Sequence, residues 1–245
     1  MDIIKKVVAL MVGIIIINSG ILFAITAEEV LQKVDEALTY RNQVARLSMT
    51  LTDKRGIVQQ REIELFQKEG GKRLIKFLKP ADVKGVGFLS LPGDEMWLYM
   101  PALGKIRRIA SHVKNQSFMG TDFSYEDMGG ENFSKEYTTK DFKEEGENYT
   151  LEISSDKKDA TYRKVKLVVS RETFIPAKIE FFDKAGRLLK IMANSLIEKI
   201  EGKWVAREIK MTNVQDGHVT VLKMLKISFD QNLSDDIFTQ RNLQK

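Results

Sequence analysis

The chain has 245 residues, of which 30% are charged and 43% hydrophobic, and its net charge is +5. That balance excludes a disordered chain and a polytopic membrane protein. With no cysteine and two histidines, it also excludes disulfides, zinc ribbons, thiol catalysis, a lipid-modified cysteine and His-rich metal sites.

Residues 1–27 read as an export signal. Lys5 and Lys6 form a positive start, Val7 to Ile17 a short apolar core, and Asn18, Ser19 and Gly20 a polar break before a small-residue end at Ala24 or Ala27. This is the layout of a signal peptide. The competing reading is a retained anchor, because Val7 to Ala27 carries no charge. The polar break and the missing basic flank favour cleavage. The expected organisation is a signal peptide at 1–27 and a single domain at 28–245. The expected localisation is the periplasm, where nucleic-acid partners are excluded.

After the signal, Glu28 to Tyr40 spaces Val30, Leu31, Val34 and Leu38 as one face of a helix. Period-two alternation follows. It runs through Ala45, Leu47, Met49 and Leu51, then Ile63 and Leu65, Ile75 and Phe77, Val165, Leu167 and Val169, Ile179 and Phe181, and Leu225, Ile227 and Phe229. Turn signals such as Asp53-Lys54-Arg55-Gly56, Gly70-Gly71 and Asp216-Gly217 separate the runs. Many short strands with one apolar face predict a large antiparallel meander whose covered face needs a lid. Helices are expected at the N-terminus, near Ser117–Met128 and at Ser234–Gln240, lying in the concave face. Gly129–Glu147, polar and glycine-bearing, reads as a mobile loop.

Motifs for chemistry are missing. There is no G-x-S-x-G, H-E-x-x-H or Walker loop. His112 and His218 read as surface residues. Asp122, Glu126 and Asp127 lack the spacing of a calcium loop and read as helix-capping groups, with Ser124-x-x-Asp127 a capping box. The expectation is therefore no enzyme, with no catalytic residues, no metal and no cofactor.

Leu74 to Met128 is the informative stretch. Pro80 with Lys84-Gly85 is followed by Trp97-x-Tyr99-x-Pro101, by Arg107-Arg108-Ile109, and by Phe118-x-Gly120-Thr121-Asp122-Phe123-Ser124-Tyr125-Glu126-Asp127. This block resembles the outer-membrane lipoprotein-sorting family, the LolA-like proteins, in the branch often found with resistance-nodulation-division exporters. The resemblance implies a mainly β fold: an open, incomplete antiparallel β-barrel with a few helices covering a concave apolar face. It further implies a carrier of lipid or lipoprotein acyl chains, transient membrane contact and an exporter partner. A lipid-sensing regulatory module on the same scaffold is the alternative. Burial of about 0.8 kcal/mol per CH₂ gives a 16-carbon chain roughly 12 kcal/mol, less association costs.

On this reading Leu47, Met49, Leu51, Ile63, Leu65, Phe77, Trp97, Tyr99, Leu225 and Ile227 line the covered, lipid-binding face, against the plainer alternative that they are core. The eight methionines beyond residue 27 suit a cavity for variable chains, although Met is also ordinary filler. Arg107 and Arg108 sit on one strand and point to opposite faces. One is expected to latch the lid of Asp122, Tyr125 and Asp127, the alternative being an exposed ion pair of about 0–1 kcal/mol.

Overall fold

The structure, a computed structural model, describes residues 25–40, 42–130, 132–157 and 160–245. The expected signal peptide lies almost wholly outside them. Helix α1 spans Ala27–Leu38. It starts where it does because Thr26 and Glu29 form a capping box, each side chain bonding the other's backbone N–H. Val30, Leu31 and Val34 are the buried face that their spacing predicts.

Thirteen antiparallel strands follow among the described residues. The first six are β1 (Gln43–Thr52), β2 (Val58–Lys68), β3 (Lys72–Lys79), β4 (Gly87–Leu91), β5 (Glu95–Met100) and β6 (Lys105–Arg108). After two short helices, α2 (Tyr125–Gly129) and α3 (Phe133–Glu136), come β7 (Thr138–Glu145), β8 (Asn148–Ser154), β9 (Lys164–Ser170) and β10 (Pro176–Phe182). The last three are β11 (Leu188–Ile200), β12 (Lys203–Asn213) and β13 (His218–Ser228). They form one sheet, ordered β6-β5-β4-β3-β2-β1-β13-β12-β11-β10-β9-β8-β7. Each half is a run of hairpins, and the β1–β13 pairing joins the halves. The edge strands β6 and β7 do not meet, so the sheet stays open. Two places expected otherwise are ordered: 129–147 holds α3 and β7, and within 117–128 only the end is helical.

The sheet curls. Ile75 of β3 and Phe181 of β10 line the same cavity, yet six strand spacings of about 4.8 Å would part them by about 29 Å in a flat sheet. Strict alternation survives where only the concave side is covered: β1, β8 and β9 bury every second residue. It fails in β3 and β4, because both faces are buried there. Leu74 and Leu89 point to the convex side, under Leu233, Phe238 and Leu243. The C-terminal short helices, a 3₁₀ turn at Asp235–Phe238 and α4 (Gln240–Leu243), therefore cover the convex face and not the concave one. Asp235 fixes this segment to Lys68 and Lys72 at 2.8 and 2.7 Å, and Lys76 Nζ donates to the Asn242 carbonyl at 3.1 Å.

Candidate functional site: a lidded cavity in the concave face

The segment 117–130 folds as a tight lid. Phe118 N–H donates to the Phe123 carbonyl at 2.8 Å, and the Thr121 hydroxyl reaches the carbonyls of Phe118 and Phe123. Ser124 and Asp127 form the expected capping box at the start of α2. Phe118 is fully buried among Phe77, Phe88 and Tyr125, with ring centroids 5.2 to 5.8 Å apart. Burial raises the Tyr125 phenol above its ordinary range.

Polar bonds tie the lid to the sheet at four places. Arg61 of β2 donates to the Met119 carbonyl at 2.6 Å. Arg73 of β3 donates to the Met128 carbonyl at 3.0 Å. Asp122 holds β13: its Oδ2 accepts from Thr220 Oγ1 at 2.7 Å and lies 2.8 Å from His218 Nδ1. Its N–H donates to the same threonine oxygen at 3.0 Å. Asp127 accepts from the Tyr162 hydroxyl at 2.9 Å and lies 3.7 Å from Lys190 Nζ. Beside it Glu126 accepts from Thr161, and burial raises the Glu126 carboxyl above its ordinary range. A further lock joins the helices: Asp35 of α1 accepts from the N–H groups of Phe133 and Ser134, at 2.8 and 2.9 Å, capping α3.

The arginine pair has no part in this. Arg107 stands opposite Leu98 and Arg108 opposite Trp97, so they point to opposite faces as expected, but neither reaches Asp122 or Asp127. Arg108 lies 3.8 Å from Glu95 and stacks over Trp97 on the convex side, and both Arg107 and Arg108 are exposed. Strand β6 is an edge, and charged side chains there protect it from pairing. Asp122 and Asp127 do hold the lid, but through His218, Thr220, Tyr162 and Lys190. Those partners lie 35 to 98 residues away in sequence, and no local pattern announces them. His218 is accordingly a half-buried lid contact and not a free surface residue, and Asp122 is a sheet anchor and not a cap.

Beneath the lid lies a cavity of about 210 Å³. Leu47, Ile63 and Leu65, expected there, line it together with Ile75, Phe133, Phe181, Leu222 and four methionines, Met128, Met192, Met211 and Met224. Met49, Leu51, Phe77 and Ile227 face the concave core without bordering the cavity. Three residues expected on the covered concave face lie elsewhere. Trp97 and Tyr99 pack on the convex side, because in Glu95–Met100 both alternating sets are apolar and Met96 and Leu98 face inward. Leu225 is 52% exposed. A bulge between Arg46 and Leu47 leaves Leu225 without a partner on β1, so inward phase passes from Ile227 to Met224 and Leu222.

Among the described residues no group of three or more acidic or histidine side chains is placed to hold a metal, and no helix is long and apolar enough to cross a membrane. A curled open sheet with an apolar cavity beneath a hydrogen-bonded lid is a half-barrel architecture. A family model described as "-like: Uncharacterized protein" matches residues 69–245, and the chain belongs to that family. Its fold is that of the LolA-like, outer-membrane lipoprotein-sorting proteins. It is 28% identical to an outer-membrane lipoprotein-sorting protein domain from Vibrio parahaemolyticus, with a TM-score of 0.78 over 89% of this chain and 98% of that one. It is equally 28% identical to a DUF1329 family protein from Desulfovibrio piger, with a TM-score of 0.81 over 89% and 97%. A LolA superfamily protein from Nitrosomonas europaea shares 23% identity and a TM-score of 0.75 over 89% and 100%. No curated protein matches the sequence.

Proposed function

We propose that this protein is a periplasmic carrier that takes acyl chains of lipids or lipoproteins into the concave cavity and hands them on. The observation that carries the reading is the cavity itself: apolar walls with four thioethers, beneath a lid held to the sheet by separable polar bonds. Thioether side chains repack around chains of different shape. The volume of about 210 Å³ is below the roughly 300–1,000 Å³ of pockets that enclose drug-sized ligands. A long chain therefore enters as Met128 moves outward with the lid. The residues 74–128 that resemble exporter-associated relatives support a resistance-nodulation-division exporter as donor or acceptor.

The export signal is removed, on this reading, after Ala24. That cut keeps Ile25, which packs on the core, and Thr26, which caps α1. The rest folds as a single domain around the one sheet. Mass spectrometry of lipid extracted from protein purified from its native host tests the carrier reading, with binding of a fluorescent fatty acid in parallel. Acyl lipid in the extract and saturable binding are expected. Neither appearing would overturn it. N-terminal sequencing of the periplasmic fraction should begin at Ile25.

A further inference from the structure

The concave face carries a polar row at one end. Gln43 stands opposite Gln67, Gln67 opposite Arg73, and Arg73 opposite Ser90. The adjacent row, Ala45, Leu65, Ile75 and Phe88, is wholly apolar. Gln43, Gln67 and Arg73 all border the cavity. Gln67 Oε1 accepts from Gln43 Nε2 and from Arg73 Nη2, both at 3.0 Å. The row ends on Gln43 Oε1, which is buried and has no partner among the described residues.

Among the described residues the guanidinium is short of acceptors. It has five N–H donors, and its hydrogen bonds go to two neutral oxygens, of Gln67 and Met128. Among the described residues no carboxylate lies within 4.0 Å of it. Asp127 also borders the cavity, but it is engaged by Tyr162, Lys190 and the Ser124 N–H. Loss of solvent pushes Arg73 down to about 10, still charged at neutral pH. A cation taken from water without a counter-charge is costly, and removal of that cost by an incoming anion is correspondingly favourable. Gly130, exposed and at φ +98°, lies so close that a Cβ there would sit 3.1 Å from Arg73 Nη2. The guanidinium thus lies beneath the exposed Gly130 end of the lid, at one end of the apolar space.

Resting on the carrier reading, we propose that the cavity selects a lipid with an anionic head, the head paired to the Arg73 fork and hydrogen-bonded through the Gln43–Gln67 row, an acyl chain lying along Leu47, Ile63 and the methionines. A carboxylate and a phosphate both suit a planar fork of donors.

Calorimetry on delipidated protein tests this with three probes: oleate, oleoyl lysophosphatidate and the neutral oleyl alcohol. The wild type should bind at least one of the two anions about tenfold more tightly than the alcohol, the scale of a charge-assisted hydrogen bond. The tighter anion identifies the head. Arg73→Met should abolish the preference, read as the ratio of anion to alcohol affinity, because loss of the Met128 tie acts on all three probes alike. Arg73→Lys, which keeps the charge without the fork, should reduce the preference and serves if Arg73→Met does not fold. Equal binding of all three probes by the wild type would overturn the head assignment and leave the carrier standing. An undiminished preference in Arg73→Met or Arg73→Lys would overturn the role of Arg73. Binding of none would overturn the carrier reading too.

Discussion

Asp122 Oδ2 stands between two side chains of β13, 2.8 Å from His218 Nδ1 and 2.7 Å from Thr220 Oγ1. The lid loop is thereby tied to the strand at the centre of the sheet, where the two halves meet. Asp122 is 5% exposed and Thr220 fully buried. Asp122→Ala leaves a buried hydroxyl without its acceptor, at a cost of about 1–3 kcal/mol. Urea unfolding should show that loss, and hydrogen exchange at 117–124 should accelerate well beyond the rest of the sheet. Uniform acceleration would mean that Asp122 supports the fold as a whole and not the lid.

Gly87 is the contact point of the convex cover. A Cβ there would lie 2.7 Å from Leu243 Cδ1 and 3.0 Å from the Leu243 carbonyl oxygen. The side chain can turn away, but the backbone oxygen cannot move without lifting α4. Gly87→Ala should therefore cost about 1–3 kcal/mol and expose residues 240–245 to carboxypeptidase. A chain ending at Thr239 should tolerate Gly87→Ala with little further loss, since the two changes act on one contact.

The same segment should respond to acid. Lys68 and Lys72 lower the Asp235 carboxyl from its ordinary 3.8 to about 2. A carboxyl depressed in the folded state stabilises fully above its unfolded pKa and loses that contribution as pH falls through the folded one. The clasp should therefore weaken between pH of about 4 and 2. The carboxylate is exposed, so added salt should weaken it at neutral pH as well. Tryptophan fluorescence follows the change, because Trp97 packs beneath this segment. Asp235→Asn should remove the acid transition; an unchanged transition would place it elsewhere.

Where one strand face alone is covered, the sequence reads directly. Leu47, Met49 and Leu51 alternate with Ser48, Thr50 and Thr52, and the structure buries the first set. Val30, Leu31 and Val34 announce α1 by spacing in the same way, and Ser124 and Asp127 announce α2 by their reciprocal cap. Two physical conditions defeat this reading. Glu95–Met100 is apolar on both sets because the C-terminal segment covers the convex face, and nothing within the strand says which set faces the cavity. The partners of the lid are also non-local. Arg107 and Arg108 are near Asp122 in sequence and attract attention, while His218 and Thr220, about 100 residues on, make the bonds. Arg73 carried a weak local signal: a charged residue in phase with Ile75 and Phe77, on a face otherwise apolar.

The bulge at Arg46/Leu47 supplies the sharpest test of the register. It places Leu222 against the cavity, 6% exposed, and leaves Leu225 52% exposed on the outer face. Leu222→Ala removes buried methyl groups from a wall that already borders a void. Relaxation there is easier than in a filled core, so the cost should fall near the lower end of the usual 2–5 kcal/mol, about 2. Leu225→Ala should change stability by less than about 0.5 kcal/mol, as at other surface positions. Ala45→Phe completes the set. Ala45 borders the same cavity and is buried, so a ring at that position occupies space otherwise open to an acyl chain. It should weaken fatty-acid binding about tenfold or more while leaving stability within about 1 kcal/mol, because it fills a void and does not displace packed neighbours. Urea unfolding and fluorescent fatty-acid titration measure both effects. A larger cost at Leu225 than at Leu222 would mean that inward phase runs unbroken through β13 from Ile227. Undiminished binding in Ala45→Phe would place the lipid outside this cavity.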